Sequence, residues 1–481
     1  MTDNLKQKTA TSIIWSTVDK FGFQLIALLV GIITARLLSV DDFGLIGALA
    51  LFTQLSNVLV ESGFSTALIR RKVNTDDEYS AAFYFNVALS VVLYMVLFFS
   101  APLIASYLAM PELKDLSRFL FLAVIFNSLG IVPNIILTKR LAFREIMISN
   151  VASAVVSGIV AVVLAVYGAG YWAIAWQQLL QAVVRVLLQW VLVKWHPNIH
   201  ADFSVIKELF SFSFLLIITS VVNAIVRNIY NWVIGKIYSK TELGYYAQAY
   251  KYQSIPSQIV STALSGVAYP IISSLNDDSQ RQLLYFRKLI RINAFLIFPV
   301  MLGLMGIATN VIEILLTAKW LPSVPYFRIM VGAAVFLPFQ SLCLGTLNAI
   351  GKPNLNFRLE MVRNVLIVLS LVCFHGSILE MLYAYVVAQV IAYLLDVIVL
   401  GRYIKYSLLD HLGDILPYGV LAVVMYFAVV FADSLIGNMY LSVIVQLLVG
   451  SIVYIGLSAV LGSNILKEAV GFIKTKNVSI D

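Results

Sequence analysis

Long apolar stretches alternate with short polar segments along the whole chain of 481 residues. A helix needs about 20 consecutive apolar residues to cross the hydrocarbon core of a bilayer, and by that length the pattern predicts about fourteen spans. They lie near residues 10–36, 43–62, 81–108, 118–137, 146–167, 171–193, 208–237, 243–272, 284–308, 324–350, 357–375, 378–400, 415–433 and 439–462. The pattern therefore indicates an all-α, polytopic membrane protein with short loops.

Basic residues near the span ends fall mostly on one side of the membrane. If the N-terminus lies inside, the inner segments hold clusters such as Arg70-Arg71-Lys72 and Lys139-Arg140, whereas the outer segments hold few basic residues. Cytoplasmic loops of membrane proteins carry an excess of lysine and arginine. Together with the even number of spans, this asymmetry predicts that both termini are cytoplasmic.

Two pairs of segments resemble one another within the chain. Residues 36–44 match residues 236–244 at a shift of 200, and residues 143–150 match residues 357–364 at a shift of 214. The two members of each pair occupy the same place in a set of six spans. Such agreement indicates a duplication of six helices.

The duplication predicts the domain organisation. We expect an N-lobe of helices 1–6 at residues 1–200, a C-lobe of helices 7–12 at residues 201–405, and two extra helices with a cytoplasmic tail at residues 406–481. Two repeats of six helices have the same orientation, so their pseudo-twofold axis lies along the membrane normal and a cavity is expected between them at the midplane.

Charged residues make up 12% of the chain, about half the share found in soluble domains. An ionisable residue inside a span is costly and is by default a functional candidate. The deepest are Asp19, Lys20, Arg227 and Lys251. Asp19 is a candidate either for a coupling proton or for a charge pair with a neighbour.

Other polar residues share helix faces with these cations, at spacings of three or four residues. We predict that this set lines a wet, cationic cavity that faces the substrate; it comprises Lys20, Gln24, Asn223, Arg227, Asn231, Gln248 and Lys251.

The sequence carries no recognisable catalytic or cofactor-binding pattern. It lacks both the phosphate-binding GxxxxGK[ST] motif and the nucleophile elbow GxSxG. His196, His200, His375 and His411 fall in predicted loops, and we expect no metal site. The net charge is +8, but no polar face combines basic with aromatic residues, so no nucleic-acid partner is expected.

Four segments carry a resemblance to a known family. They are ESGFSTALIRRK at 61–72, PNIILTKRLAFR at 133–144, LGYYAQAYKYQSIPSQI at 243–259 and NAIGKPNLNFR at 348–358. In this order and spacing the chain resembles the bacterial polysaccharide flippases of the MATE-like multidrug/oligosaccharidyl-lipid/polysaccharide superfamily. The similar branch is the Wzx-type one, with its colanic-acid and O-antigen unit exporters.

The resemblance implies a fold and a function. The fold is a MATE-like V of two six-helix lobes with two extra helices, in the bacterial inner membrane. The function is the transfer of undecaprenyl-diphosphate-linked oligosaccharide from the cytoplasmic to the periplasmic leaflet, for lipopolysaccharide or exopolysaccharide. Alternating access coupled to a cation, H⁺ or Na⁺, and partnership with a polysaccharide polymerase or glycosyltransferases, are implied as well.

Two other functions were weighed. A MATE-type exporter of cationic small molecules should have buried carboxylates, whereas the deepest charges here are mostly cations. A membrane glycan polymerase or ligase should have sizeable outer loops with acid or base residues, whereas the outer loops here are short. We therefore expect a transporter without enzymatic activity.

Overall fold

The structure is a computed structural model that describes residues 2–61, 64–71, 74–199, 202, 204–275, 278–463, 465–468 and 471. Of residues 2–10, 13, 211, 212, 215, 265 and 267 it describes the backbone only. Met1 and residues 472–481 lie outside the described residues. They include the two termini, for which a cytoplasmic location is predicted. Lys72 and His200 also lie outside them.

The described part of the chain consists of α-helices and connecting segments without a β-strand, which confirms the all-α class. A short 3-10 helix, Ala318–Ser323, lies between the eleventh and twelfth α-helices. The α-helices are α1 (Thr2–Leu37), α2 (Val40–Glu61), α3 (Phe64–Arg70), α4 (Asp76–Leu108), α5 (Leu113–Leu120), α6 (Leu122–Lys139), α7 (Phe143–Val166), α8 (Tyr171–Val193), α9 (Ser204–Ile237), α10 (Lys240–Ser274), α11 (Ser279–Leu316), α12 (Val324–Ala334), α13 (Leu337–Ala349), α14 (Pro353–Cys373), α15 (Ile378–Ile404), α16 (Leu408–Ser434) and α17 (Met439–Val460).

Among the described residues, 12 segments are long and apolar enough to cross a membrane. The chain is therefore a multi-pass membrane protein, but the predicted count of fourteen spans is not confirmed. The other two predicted spans form α8 and α14. Several glutamines lower the hydropathy of α8, and α14 carries the charged residues Arg358, Glu360 and Arg363.

The chain divides into two compact units, Met1–Ala247 and Gln248–Asp481. The division falls inside α10, because α9 and the first turns of α10 pack against α2. The lobes predicted from the repeat, with boundaries at 200 and 405, remain a prediction.

The first unit has an aromatic core where α3, α4 and the end of α8 meet. Phe83 on α4 makes edge-to-face contacts with Trp190 and Trp195, at ring-centroid distances of 5.6 and 6.1 Å. Thr75 begins α4 with a capping box, in which its hydroxyl accepts from the Glu78 backbone N–H. Such a cap fixes the first turn of the helix, which orients the aromatic core.

In the second unit, α16 runs parallel to α11, and α17 runs antiparallel to it. Asp414, near the start of α16, contacts Arg287 near the start of α11 at 2.8 Å. Asn310, near the end of α11, donates to Asp433 near the end of α16 at 2.6 Å. Between these points the hydroxyl of Tyr454 on α17 donates to the Phe295 carbonyl at 3.0 Å.

Asp414 is the centre of a buried polar cluster, with a side-chain exposure of 1%. It accepts from Arg287, from Arg291 at 2.7 Å and from the hydroxyl of Tyr406 at 2.9 Å. His411, which hydrogen-bonds to Tyr406 and Tyr393, is fully buried inside α16. The prediction that His411 lies in a loop is therefore wrong, because α16 begins at Leu408, several residues before the predicted span.

Candidate functional site

The first part of the predicted site lies on α1, which packs against α7. Lys20 is exposed in the protein alone and Gln24 is half-buried. Asp19, also half-buried, accepts hydrogen bonds at 3.1 Å on both carboxylate oxygens from the Asn150 amide of α7. A neutral amide therefore holds Asp19 in place, and the sequence alone did not reveal this partner.

The second part of the predicted site lies on α9. Arg227 is exposed and Asn223 is half-buried. Asn231 is buried with 8% exposure, and its side-chain oxygen has no hydrogen-bond partner in the described chain. The spacing of four residues therefore does not place all three side chains in equal contact with solvent, because α9 is also packed against α2.

The third part of the predicted site lies on α10. Gln248 is buried with 2% exposure, and its amide nitrogen has no hydrogen-bond partner among the described residues. Lys251 is exposed, and its ammonium lies 5.8 Å from the ring centroid of Tyr252. The two predicted residues of α10 therefore differ in burial: Gln248 is a buried amide and Lys251 is an exposed cation.

Lys20, Arg227 and Lys251 make no hydrogen bond or ion pair with any residue that the structure describes. Lys20 and Arg227 belong to the first compact unit and Lys251 to the second. A cation within a membrane span cannot remain charged against hydrocarbon without large cost, so such side chains face water, a ligand or a polar partner.

The first unit also contains a cavity of about 250 Å³ that the sequence analysis missed. It is lined by Ile46, Ala50, Thr53, Gln54, Asn57, Leu120 and Gln178. Five of these residues lie along one face of α2, and Leu120 of α5 and Gln178 of α8 complete the lining. Gln54 and Asn57 are three positions apart and so share one face of α2; this spacing was the available signal, but neither residue is ionisable.

Two hydrogen-bond chains lead to the cavity from neighbouring helices. Arg185 on α8 donates to the Asn127 side-chain oxygen at 2.7 Å, and the Asn127 amide nitrogen donates to the Asn57 oxygen at 3.1 Å. Separately, the Asn228 amide nitrogen on α9 donates to the Gln54 oxygen at 2.7 Å. These bonds fix the orientation of both cavity amides.

The turns α1–α2 and α9–α10, which the sequence analysis paired as repeats, contact one another within the first unit. The Thr241 hydroxyl donates to Asp41 at 2.5 Å. The ammonium of Lys240 lies 3.0 Å from a Glu112 carboxylate oxygen and 3.7 Å from one of Asp41. A Cβ atom at Gly44 would lie 1.9 Å from the Lys240 carbonyl oxygen.

No group of three or more histidine, cysteine, aspartate or glutamate side chains within the described ranges could hold a metal ion. The chemistry of the site is therefore that of cations, amides and one amide-bound carboxylate.

The family profile described as "Polysaccharide biosynthesis protein" matches residues 33–325, more than half of the chain. The chain belongs to this family. The match includes the predicted site residues of α9 and α10 but not Asp19, Lys20 or Gln24, which precede it.

Two curated relatives resemble this member of the polysaccharide biosynthesis protein family over most of their length. The teichuronic acid biosynthesis protein TuaB of Bacillus subtilis (strain 168) is 25% identical over 84% of this chain and 84% of its own. The succinoglycan biosynthesis transport protein ExoT of Rhizobium meliloti (strain 1021) is 23% identical over 76% of this chain and 74% of its own.

Two solved structures resemble the fold of this family member. The lipid II flippase MurJ, in an inward closed conformation, has a TM-score of 0.78 and 16% identity, and the similarity covers 94% of this chain and 100% of that one. An inward-facing multidrug resistance MATE family transporter has a TM-score of 0.63 and 15% identity over 82% and 98% of the two chains. The MATE-like fold of the superfamily is thereby confirmed.

Proposed function

We propose that the protein is a flippase for undecaprenyl-diphosphate-linked oligosaccharide, which it moves from the cytoplasmic to the periplasmic leaflet of the bacterial inner membrane. The product serves the synthesis of a surface polysaccharide, such as the O-antigen of lipopolysaccharide or an exopolysaccharide. The observation that carries the proposal is the set of exposed intramembrane cations, Lys20, Arg227 and Lys251, in a member of the polysaccharide biosynthesis protein family.

The charge of the substrate matches the charge of these side chains. A diphosphate is anionic, and exposed basic side chains attract anions by their electrostatic potential. The polyprenyl tail stays in the bilayer while the head group passes the cations. Alternating access moves the head group between two aqueous sides. Cations that form no ion pair with the described residues can bind it without first breaking such a pair.

Asp19 is our candidate for the coupling residue. Asn150 donates to both oxygens of its carboxylate, and the charge of Lys20 also acts on it. An H⁺ or a Na⁺ would therefore compete with one neutral donor and with the positive charge of Lys20. If Asp19 couples transport to a cation, Asp19→Asn should retain substrate binding while transport loses its dependence on the H⁺ or Na⁺ gradient. Unchanged gradient dependence would assign Asp19 a structural role.

The two rival functions lack comparable support. A MATE-type exporter carries cationic small molecules, and Lys20, Arg227 and Lys251 would repel such a substrate. A glycan polymerase or ligase would need a catalytic cluster, whereas the predicted site residues are cations, amides and the single carboxylate of Asp19. Polymerases and glycosyltransferases fit the proposal better as partners that supply or consume the lipid-linked unit.

The test is a leaflet assay with the purified protein in liposomes. Lipid-linked oligosaccharide should change leaflet while remaining chemically intact, and protein-free liposomes provide the control. A new glycosidic linkage or released lipid carrier would contradict the proposal, and so would an unchanged leaflet distribution under both an H⁺ and a Na⁺ gradient.

A further inference from the structure

The cavity in the first unit is lined by two amides, Gln54 and Asn57, whose oxygens are both occupied by hydrogen bonds from neighbouring helices. Arginine can only donate, so Asn127 must accept from Arg185 with its oxygen and offer its nitrogen to Asn57. Asn57 in turn must accept with its oxygen, which leaves its amide N–H groups for the cavity. Arg185 therefore determines which atom of each amide donates and which accepts, without a separate assignment of the amide oxygens and nitrogens.

Gln54 is oriented by the same reasoning. The Asn228 side-chain atom that contacts Gln54 also donates to the Ala224 carbonyl at 2.9 Å, so it is the nitrogen. Gln54 therefore accepts with its oxygen and retains its own N–H groups. Gln178 makes no hydrogen bond within the described chain, and Thr53 donates to the Leu49 carbonyl at 3.1 Å, which leaves its lone pairs free.

We propose that this cavity is a subsite for one sugar residue of the lipid-linked glycan; the proposal rests on the proposed function. The N–H groups that Gln54 and Asn57 retain donate to hydroxyl or acetamido oxygens of the sugar. The apolar residues of the lining, Ile46, Ala50 and Leu120, pack against the ring carbons.

Size and charge favour a sugar over the diphosphate. Sites for drug-sized ligands have volumes of about 300–1,000 Å³, so a cavity of about 250 Å³ accommodates a single ring rather than the whole oligosaccharide. No charged side chain lines it, whereas a diphosphate requires cations. Arg185 donates to Asn127, and its positive charge strengthens the final donor by polarising this chain of hydrogen bonds.

The experiment measures equilibrium binding of three radiolabelled lipids to the full chain in nanodiscs. The first is undecaprenyl diphosphate, and the other two are undecaprenyl diphosphate linked to glucose or to N-acetylglucosamine. The wild type should prefer at least one glycosylated lipid over the bare lipid by about 10-fold, as expected for two or more hydrogen bonds.

Two series of variants test whether the amide N–H groups contribute to binding. Asn57→Asp and Gln54→Glu keep the oxygens that accept from Asn127 and Asn228 but remove the N–H groups. Asn57→Leu and Gln54→Leu remove the amides without adding charge. Each should lower the preference for the glycosylated lipid about 3- to 10-fold relative to bare lipid. Gln177→Glu and Gln177→Leu, on a glutamine of α8 that does not line the cavity, should leave the preference unchanged.

The outcomes distinguish this subsite from the proposed function. If wild-type protein binds all three lipids equally, or if both series retain the preference, the subsite is refuted while the flippase function stands. If the wild type binds none of the lipids, the flippase function itself is contradicted.

Discussion

Gly44 and Gly244, which match at a shift of 200 residues in the predicted repeat, each lie against the backbone of the other's helix. A Cβ atom at Gly44 would be 1.9 Å from the carbonyl oxygen of Lys240, and one at Gly244 would be 2.2 Å from the carbonyl oxygen of Val40. The contact is reciprocal, as is typical of related elements around a twofold axis. Duplication of the six-helix set predicts such a relationship.

Alanine at either glycine should disrupt this crossing of α2 and α10. Gly44→Ala and Gly244→Ala place a methyl group on a backbone carbonyl that cannot move alone, and overpacking of this kind costs about 1–3 kcal/mol or more. The melting temperature of the purified protein should fall. Gly345→Ala and Gly413→Ala are matched controls, because a Cβ there meets nothing within 4 Å; they should be neutral or slightly stabilising. Equal melting temperatures for all four variants would contradict the close contact.

Removing a cation at the proposed site should impair export more than folding. A cation close to a phosphate contributes about 4 kcal/mol at an effective dielectric constant of 20. Lys20→Gln, Arg227→Gln and Lys251→Gln should therefore reduce export strongly at near-normal membrane abundance, and the corresponding glutamate variants should be worse because they repel the substrate. The measurement is complementation of a flippase-deficient strain, with abundance determined for each variant.

The control for this series is Arg363→Gln on α14, near a predicted span end where the long side chain can reach the interface. We expect a milder loss of export from this variant. Full export by the glutamate variants would mean that the three cations are not contacts of the substrate.

Asp414 should be more important for stability than its neighbour Asp410. Asp414→Asn leaves Arg287 and Arg291 without their buried counter-charge, and breaking a buried ion pair costs about 3–5 kcal/mol. Asp410, with a side-chain exposure of 43% and a distance of 3.5 Å to Arg287, should cost about 1 kcal/mol or less on replacement by asparagine. Thermal unfolding in detergent measures both, and a larger loss for Asp410→Asn would contradict the assignment.

The pKa of Glu112 predicts a pH-dependent contribution to stability. Hydrogen bonds from its own backbone N–H and from Lys240 hold the pKa of its carboxyl below the ordinary value of 4.5. The folded state therefore favours the carboxylate: the contribution is complete above pH 4.5 and is lost as the pH falls through the lower, folded-state pKa.

The measurement is the melting-temperature difference between wild type and Glu112→Gln as a function of pH. The wild type should be more stable at neutral pH, by less than about 1 kcal/mol because the carboxylate is partly screened by solvent, and the difference should vanish on acidification. Asp115→Asn, at a residue with a side-chain exposure of 77%, should show little difference at any pH. A stability difference that grows as the pH falls would contradict the predicted sign.

Reporter fusions test the predicted topology. A reporter fused after Asp481 should report a cytoplasmic location, and a reporter inserted at Ser39 should report a periplasmic location. Periplasmic activity of the C-terminal fusion would require an odd number of spans and would contradict the six-plus-six arrangement.

Hydrophobic spacing was sufficient to predict the helices, because the bilayer fixes the length of each span. It was insufficient at irregular points. The predicted span at 118–137 consists of α5 and α6, which are separated at Phe121, and the predicted span at 324–350 consists of α12 and α13. Short breaks of this kind leave the mean hydropathy unchanged, so the pattern does not reveal them.

Burial of the site residues was harder to predict than their presence in spans. The spacing placed Asn223, Arg227 and Asn231 on one face, but Asn231 is buried whereas Arg227 is exposed. The Asp19–Asn150 contact and the cavity at Gln54 depend on which helices are neighbours in space, and a single sequence gives little information on that. The ionisable residues within spans could be predicted as candidates from the sequence, whereas the cavity amides Gln54 and Asn57 could not, because no cation shares their helix face.

The bonds at both ends of α11 have a mechanical consequence. Arg287 and Asn310 attach this helix to α16 near its start and near its end, while Tyr454 attaches α17 between them. Three helices joined in this way form one rigid group, so a tilt of α11 carries α16 and α17 with it through the lipid. The last two helices therefore increase the friction that the lipid exerts on any motion of α11. A chain truncated before them would lose this resistance and would also expose the face of α11 that they cover.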